Sequence, residues 1–301
     1  MSAPDETKSD SACSLTISPF GFYNTGSICY FNSLLQAFLS CKYINRAFDL
    51  VPYGKKTPLR NTYKKMIELA TTDAKPQKMS SDILHILAGL GSMASRVERF
   101  DFGQQSAHEA FVYMVDALKL EHYFESIVDK TVKCSGRCGQ TSIKQEKVIC
   151  FPLFSLKTGD EVKSDLHLHT VVATPSGYVC SNIIGKKDDG SDDVCGETKK
   201  IEITERLRTA SPYIVLQFNG YKKKQLIHYP KELLFSRHEK SDLVFHLIST
   251  VEHSGSLSGG HYWAGIKRHD KTYIANDISI TESSSALDPT PNTYLAFYEL
   301  E

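Results

Sequence analysis

The sequence predicts an α+β protein in which a helical lobe packs against a sheet lobe. Apolar residues recur at helical spacing up to about residue 130, and aromatic and β-branched runs of strand length dominate beyond about residue 210. A charged, turn-rich segment, Lys186-Lys187-Asp188-Asp189-Gly190-Ser191-Asp192-Asp193, lies between them and reads as a loop. A cleft between two such lobes is a common place for a site.

Residues 1 to about 17 are polar and without periodicity, which predicts a flexible tail. After Cys29, apolar residues fall at Phe31, Leu34, Leu35, Phe38 and Leu39, the spacing of a helix with one buried face. Lys64–Ala70 and Asp82–Leu90 also read as helical. A further helix follows Gln105, with Ala107, Ala110, Phe111, Met114, Val115 and Leu118 on one stripe. Ser106 and Glu109 form an S-x-x-E capping box at its start. Tyr213–Phe218, Leu243–Ile248, His261–Lys267 and Tyr294–Tyr298 read as strands.

Composition narrows the function classes. Hydrophobic residues make up 41% and charged residues 23%, which argues against wholesale disorder. Lys+Arg and Asp+Glu are both 35, so there is no cationic surplus for a dedicated nucleic-acid or anionic-membrane binder. No apolar run reaches membrane-spanning length, and the N-terminus, MSAPDETKSDSACS, lacks the apolar stretch of a secretion signal. The expected location is intracellular, in cytoplasm or nucleus. There the eight cysteines remain thiols or metal ligands rather than a disulfide framework.

The cysteines separate by environment. Cys41 and Cys150 lie in apolar stretches and read as small buried hydrophobes, and Cys13 lies in the tail. Cys134, Cys138, Cys180 and Cys195 form a candidate metal set. Cys29 follows Asn24-Thr25-Gly26-Ser27-Ile28 and opens the first helix, where unpaired N–H groups and the helix dipole favour a thiolate. It is either a buried thiol at a helix start or a nucleophile, with the Asn24 amide placed for a developing oxyanion.

A nucleophilic thiol needs a base. His108 starts a His-Glu pair without the second histidine of a zinc-protease helix, and His167 and His169 alternate on a solvent-facing stretch. His261 follows Gly255-Ser256-Leu257-Ser258-Gly259-Gly260 and opens a strand beside a flexible loop. Asn276 and Asp277 stand at the far end of the next hairpin, where either could orient an imidazole.

Taken together, these segments resemble the ubiquitin-specific proteases. Gly21 to Gln36, with Asn24 and Cys29, resembles the family's Cys box, and Gly259-Gly260-His261-Tyr262-Trp263-Ala264 its His box. Phe102-Gly103-Gln104-Gln105-Ser106-Ala107-His108-Glu109 resembles the Gln-Gln-Asp segment that opens a family helix. Pro212–Tyr221 and Tyr294–Tyr298 resemble two of its sheet strands, and all five segments come in family order.

The resemblance implies a papain-like cysteine protease with thumb, palm and fingers. It places the thumb over about 18–125, the fingers over 126–210 and the palm over 211–301, as one catalytic domain after the tail. It also implies hydrolysis of the bond after the C-terminal Gly of ubiquitin. Cys29 maps to the nucleophile, His261 to the base, Asn276 to the residue orienting it with Asp277 beside it, and Asn24 to the oxyanion-hole amide. Gln105, Glu109, Gly260 and Tyr262 map to the substrate slot, Tyr262 as a wall. No catalytic cofactor is implied. The expected partners are ubiquitin and ubiquitinated proteins, for a monomer without accessory domains.

Several positions depart from the family pattern. Ser27 and Ile28 precede the nucleophile, Thr272 and Ala275 replace bulkier residues before Asn276, and Gly220 replaces a basic residue. Ser106 stands where the family has an Asp expected to meet the arginines of the ubiquitin tail. This keeps open a protease for another ubiquitin-like modifier. In the fingers the first cysteine pair is one residue wider than CxxC, and Asp192 occupies the position of the mate of Cys195. Cys180 then completes a structural zinc site from across the acidic loop, the alternative being a metal-free finger. An inactive ubiquitin-binding protein is a further alternative, against which Cys29, His261, Asn276 and Asn24 all stand intact.

Overall fold

The computed structural model describes residues 15–24, 26–55, 58–71, 105–153, 156–162, 178–218, 224–235, 242–256 and 259–301. The helix expected over Asp82–Leu90, His167 and His169, and the loop residues Leu257 and Ser258 lie outside the described residues, as do Cys13 and Gly220.

The helical lobe forms where the periodicity places it. Helix α1 (Cys29–Phe38) buries all ten of its residues. Around it lie α2 (Lys42–Leu50), α3 (Pro58–Ala70), α4 (Ala107–Leu118) and the single turn α5 (Glu121–Phe124). The buried face of α4 is the predicted stripe, and the Ser106 hydroxyl accepts the Glu109 N–H at 3.3 Å as its cap. Such a cap is worth about 1 kcal/mol. Phe38 packs against Tyr63, Phe111 and Phe124, with centroids 6.4, 6.0 and 5.8 Å away. A buried phenyl contributes roughly 1.5–3 kcal/mol, so this cluster anchors the lobe.

Beyond α5, β1 (Ser126–Cys134), β2 (Thr141–Val148) and β6 (Ile201–Thr209) make an antiparallel sheet in the order β2-β1-β6. The expected acidic loop is instead the tip of a short hairpin, β4 (Ile183–Lys186) with β5 (Asp192–Val194). A lysine and an aspartate close it, Lys186 to Asp192 at 2.5 Å.

The larger sheet runs β12-β11-β10-β9-β13-β7-β3, with β8 (Glu232–Phe235) also on β9. Its other strands are β3 (Phe151–Pro152), β7 (Tyr213–Gln217), β9 (Leu243–Ser256), β10 (Gly259–Arg268), β11 (Lys271–Asn276), β12 (Ser279–Glu282) and β13 (Thr293–Leu300). Among the described strand pairs β3 against β7 is parallel, and an isolated bridge from Glu161 to His228 is parallel too. The two lobes share one core, in which Phe111 of α4 meets Phe297 of β13 edge to face at 5.7 Å.

A buried cation ties α1 to β10. The Arg268 guanidinium donates to Ser40 Oγ at 2.5 Å, to the Gln36 carbonyl at 3.1 Å and to Gln36 Oε1 at 3.0 Å. Burial pulls Arg268 down to about 10. Gln36 in turn donates to the Phe20 carbonyl at 2.6 Å, so the segment leading into α1 is held as well.

Candidate active site

Cys29 is the first residue of α1, with its sulfur buried where the helix N–H groups converge. Burial pushes the thiol above its ordinary value, and the Asp277 carboxylate pushes the same way. Backbone N–H groups of Tyr262, Tyr30 and Cys29 itself pull it back. This corrects the expectation of a depressed thiol. The helix terminus acts as expected, but desolvation outweighs it. The resting group is a thiol that needs a base.

The base candidate is one residue from the strand N–H that reaches the sulfur. His261 sits on β10, and β11 returns antiparallel through the turn His269–Asp270, pairing Ala264 with Ala275. That register brings His261 Nε2 to 2.6 Å from Asn276 Oδ1. An amide oxygen only accepts, so Nε2 carries the hydrogen, and in the neutral ring Nδ1 is left with a lone pair.

Asn24 is exposed and engaged on both ends. Its Oδ1 accepts the N–H groups of Gly26 and Ile28 at 3.2 and 3.3 Å, which shapes the loop into α1. Its Nδ2 donates to Asp277 Oδ2 at 3.1 Å. The other carboxylate oxygen, Oδ1, accepts from Asn32 Nδ2 at 2.8 Å. Asp277 therefore bridges two amides that flank Cys29 in the sequence. It has a left-handed backbone, φ 49°, and its carbonyl accepts the Phe22 N–H at 2.8 Å. Gly21 is required here, since a Cβ would lie 2.3 Å from the Ile278 carbonyl oxygen.

Sequence reading gave Asn32 no role. Its signal was an amide among the mostly apolar residues of α1. It also missed His253 on β9. The His253 ring lies 4.4 Å from that of Tyr262, and the Lys224 ammonium donates to the His253 carbonyl and lies 3.4 Å from its Nδ1. Burial, with Lys224 and His261 adding, pulls this imidazole down to about 4.

The residues mapped to the slot fall in two places. Gly260 lies against His253, whose Nε2 would be 2.4 Å from any Cβ, so no side chain fits there. Tyr262 is not a wall: its ring is buried among the core aromatics, and its N–H faces the thiol instead. Gln105 and Glu109 flank the start of α4, Gln105 half-buried and Glu109 exposed. Ser106 between them is buried and shares a 2.9 Å hydrogen bond with the Tyr294 hydroxyl. Its position is structural, joining α4 to β13. An apolar cavity of about 450 Å³ is lined by His108 and Val112 of α4, Val128 of β1, Leu207 of β6 and Leu216 of β7.

The metal candidates converge. The sulfurs of Cys134, Cys138, Cys180 and Cys195 all lie within 4.8 Å of one another. Cys134 to Cys195 and Cys138 to Cys180 are both 3.7 Å. A tetrahedral zinc with Zn–S bonds of about 2.3 Å needs sulfurs about 3.8 Å apart, so the donor set fits. Asn182 Nδ2 donates to Cys138 Sγ at 3.5 Å, and Arg137 clamps Asp193 at 2.8 Å across the two knuckles. Asp192 is no part of the cluster. Among the described residues, no helix is long and apolar enough to cross a membrane.

A profile described as ubiquitin carboxyl-terminal hydrolase matches residues 20–298. No curated protein matches the chain. Among solved structures it is similar to a chain of the SAGA Ubp8/Sgf11/Sus1/Sgf73 DUB module bound to ubiquitin aldehyde. There the TM-score is 0.71 at 16% identity, covering 96% of this chain and 71% of that one. A variant of that module bound to monoubiquitin gives 0.67 at 16%, covering 96% and 71%. A yeast SAGA DUB module with a mutant Sgf73 gives 0.68 at 16%, covering 96% and 70%. At this identity the likeness shows the fold, which is papain-like.

Proposed function

The chain belongs to the ubiquitin carboxyl-terminal hydrolase family, thiol-dependent enzymes that release ubiquitin, and on that premise we propose how its own residues carry the reaction. Cys29 is the nucleophile and His261 the base. The observation that carries this is the 2.6 Å bond from His261 Nε2 to Asn276. It leaves Nδ1 as the acceptor, and the N–H of the next residue, Tyr262, already reaches the Cys29 thiol.

His261 Nδ1 takes the Cys29 proton, and the sulfur attacks the carbonyl of the C-terminal Gly of ubiquitin. The carbonyl pair moves onto oxygen, where the Cys29 N–H and the second Nδ2 hydrogen of Asn24 receive it. Asp277 takes the first of those hydrogens and so aims the amide. Collapse expels the lysine amine with the proton from His261. Water, deprotonated by the same imidazole, then attacks the thioester, and the ubiquitin carboxylate and free thiol are restored.

The tail of the modifier runs between Gln105 and Glu109 on one side and the Gly260 backbone on the other. Glu109 is the acidic residue in the first turn of α4, and it meets the basic end of the tail. Residues 18–301 act as one catalytic domain, monomeric and in a reducing intracellular compartment, with ubiquitinated proteins as substrates. A zinc ion held by Cys134, Cys138, Cys180 and Cys195 would be structural. Four thiolates leave it no open position, so it supplies folding energy to the fingers and takes no part in the reaction.

A second reading, a protease for another ubiquitin-like modifier, is favoured by one observation. Ser106 is committed to Glu109 and Tyr294, so the acid expected at this position is missing. A panel of C-terminal electrophilic probes decides between them. Labelling of Cys29 by the ubiquitin probe is expected. Failure with ubiquitin, together with labelling of the same folded sample by another modifier's probe, overturns the substrate. Cys29→Ala is expected to abolish turnover and keep binding; surviving turnover means the nucleophile is wrong.

A further inference from the structure

The proposed base is stacked on the chain's one tryptophan. The rings of His261 and Trp263 have centroids 6.3 Å apart and planes inclined by 24°. Residues two apart on a strand share a face, so β10 presents both to the same side. Neighbouring strands fix Trp263 there. It pairs with Glu252 of β9, and the Ala264–Ala275 pair on the β11 side puts it beside Asn276. The register that brings Asn276 to His261 therefore brings the indole to both.

Two physical consequences follow. Asn276 is exposed, so water competes for the oxygen that holds His261. A half-buried indole alongside excludes part of that water. An indole face also attracts an imidazolium more than a neutral imidazole. That attraction grows as Cys29 passes its proton to His261, so it acts on the transition state more than on the resting site.

We propose that Trp263 is a positioning residue: it holds the His261 ring in the plane that keeps Nε2 on Asn276, and it stabilises the imidazolium formed when Cys29 is deprotonated. This rests on His261 being the base. The only transfer involved is the proton from Cys29 Sγ to His261 Nδ1; Trp263 makes and breaks no bond. The titratable groups around the site are Cys29 from α1, Asp277 after β11, His253 and Glu252 from β9, the latter paired with Trp263, and Lys224 beside His253.

Trp263→Ala and Trp263→Phe in the full chain, assayed on a fluorogenic ubiquitin C-terminal amide, test this. The Ala variant is expected to lose about tenfold in kcat with KM within about twofold, and Phe to recover most of the loss. An unchanged kcat in the Ala variant, or a Phe variant as slow as Ala, overturns the proposal. Independently of those variants, Trp263 is the one indole in the chain, and an imidazolium quenches a neighbouring indole. Wild-type emission is expected to rise through a titration step on raising the pH, and His261→Gln to lack it; a step that persists overturns the stack. Turnover surviving His261→Gln would instead sink the base assignment.

Discussion

Arg268 Nη2 donates to both the main-chain and the side-chain oxygen of Gln36, at 3.1 and 3.0 Å. The pair joins the far ends of α1 and β10, whose near ends carry Cys29 and His261. Nucleophile and base are thus set by two elements fastened to each other at the opposite end. Arg268→Met removes the donor and leaves the buried Gln36 oxygens and the half-buried Ser40 hydroxyl without it. An unsatisfied buried group costs about 1–3 kcal/mol, so a loss of about 2–4 kcal/mol is expected, read as a lower urea midpoint. A midpoint equal to wild type would show that the guanidinium is dispensable.

Asp277 tests a sign. Its carboxylate raises the Cys29 thiol and also holds Asn24 and Asn32. In Asp277→Ala the thiolate fraction rises, so alkylation by iodoacetamide at neutral pH should speed up. Ubiquitin turnover should fall about tenfold as Asn24 loses its anchor. If both rates fell together, the carboxylate would be acting through the fold alone.

His253 predicts a pH dependence. Its folded value of about 4 lies below the unfolded 6.5, so the unfolded chain binds the proton more readily. The contribution is present above pH 6.5, shrinks as pH falls toward 4 and amounts to about 2 kcal/mol. Buried Glu252 is raised by its own burial and tilts stability the other way, so the difference between wild type and His253→Gln is the quantity to measure. Urea midpoints that converge between pH 7 and 4.5 are expected; parallel ones would refute the shift.

The four finger sulfurs predict metal-dependent stability. Chelation by a strong zinc ligand should lower the melting temperature and loosen the sheet of β1, β2 and β6. Cys180→Ser should do the same without chelator and release zinc measurable by a colorimetric dye. A protein purified with no zinc and a melt indifferent to chelator would point to the metal-free alternative.

Much of this was readable from residue pattern. The stripes of α1 and α4 survive because their apolar spacing matches the helix period, and Tyr213–Gln217 and Thr293–Leu300 because nearly continuous apolar runs fill buried strands. What escaped is what depends on contacts distant in sequence. Asp277 meets Asn32 and Asn24 across 245 and 253 residues, which no local pattern announces. The C-terminal half of β9 ends in polar residues and glycine, so its reach to Ser256 was hidden. The Cys29 shift was misjudged because a helix terminus is visible in sequence and burial is not. Cys180 joins the metal set from across the acidic loop, and the hairpin of β4 and β5 is what folds it back.

The strand order of the large sheet has a consequence for biosynthesis. β13 follows every other described strand in the chain, yet it lies between β9 and β7, and Phe297 on it closes the core over α4. A growing chain on the ribosome exposes its thiol long before that gap is filled. Until β13 inserts, β9 and the hairpin bearing His261 have no sheet neighbour joining them to β7. The enzyme is therefore expected to remain inert on the ribosome until β13 has emerged and inserted, and to acquire its peptidase power only then.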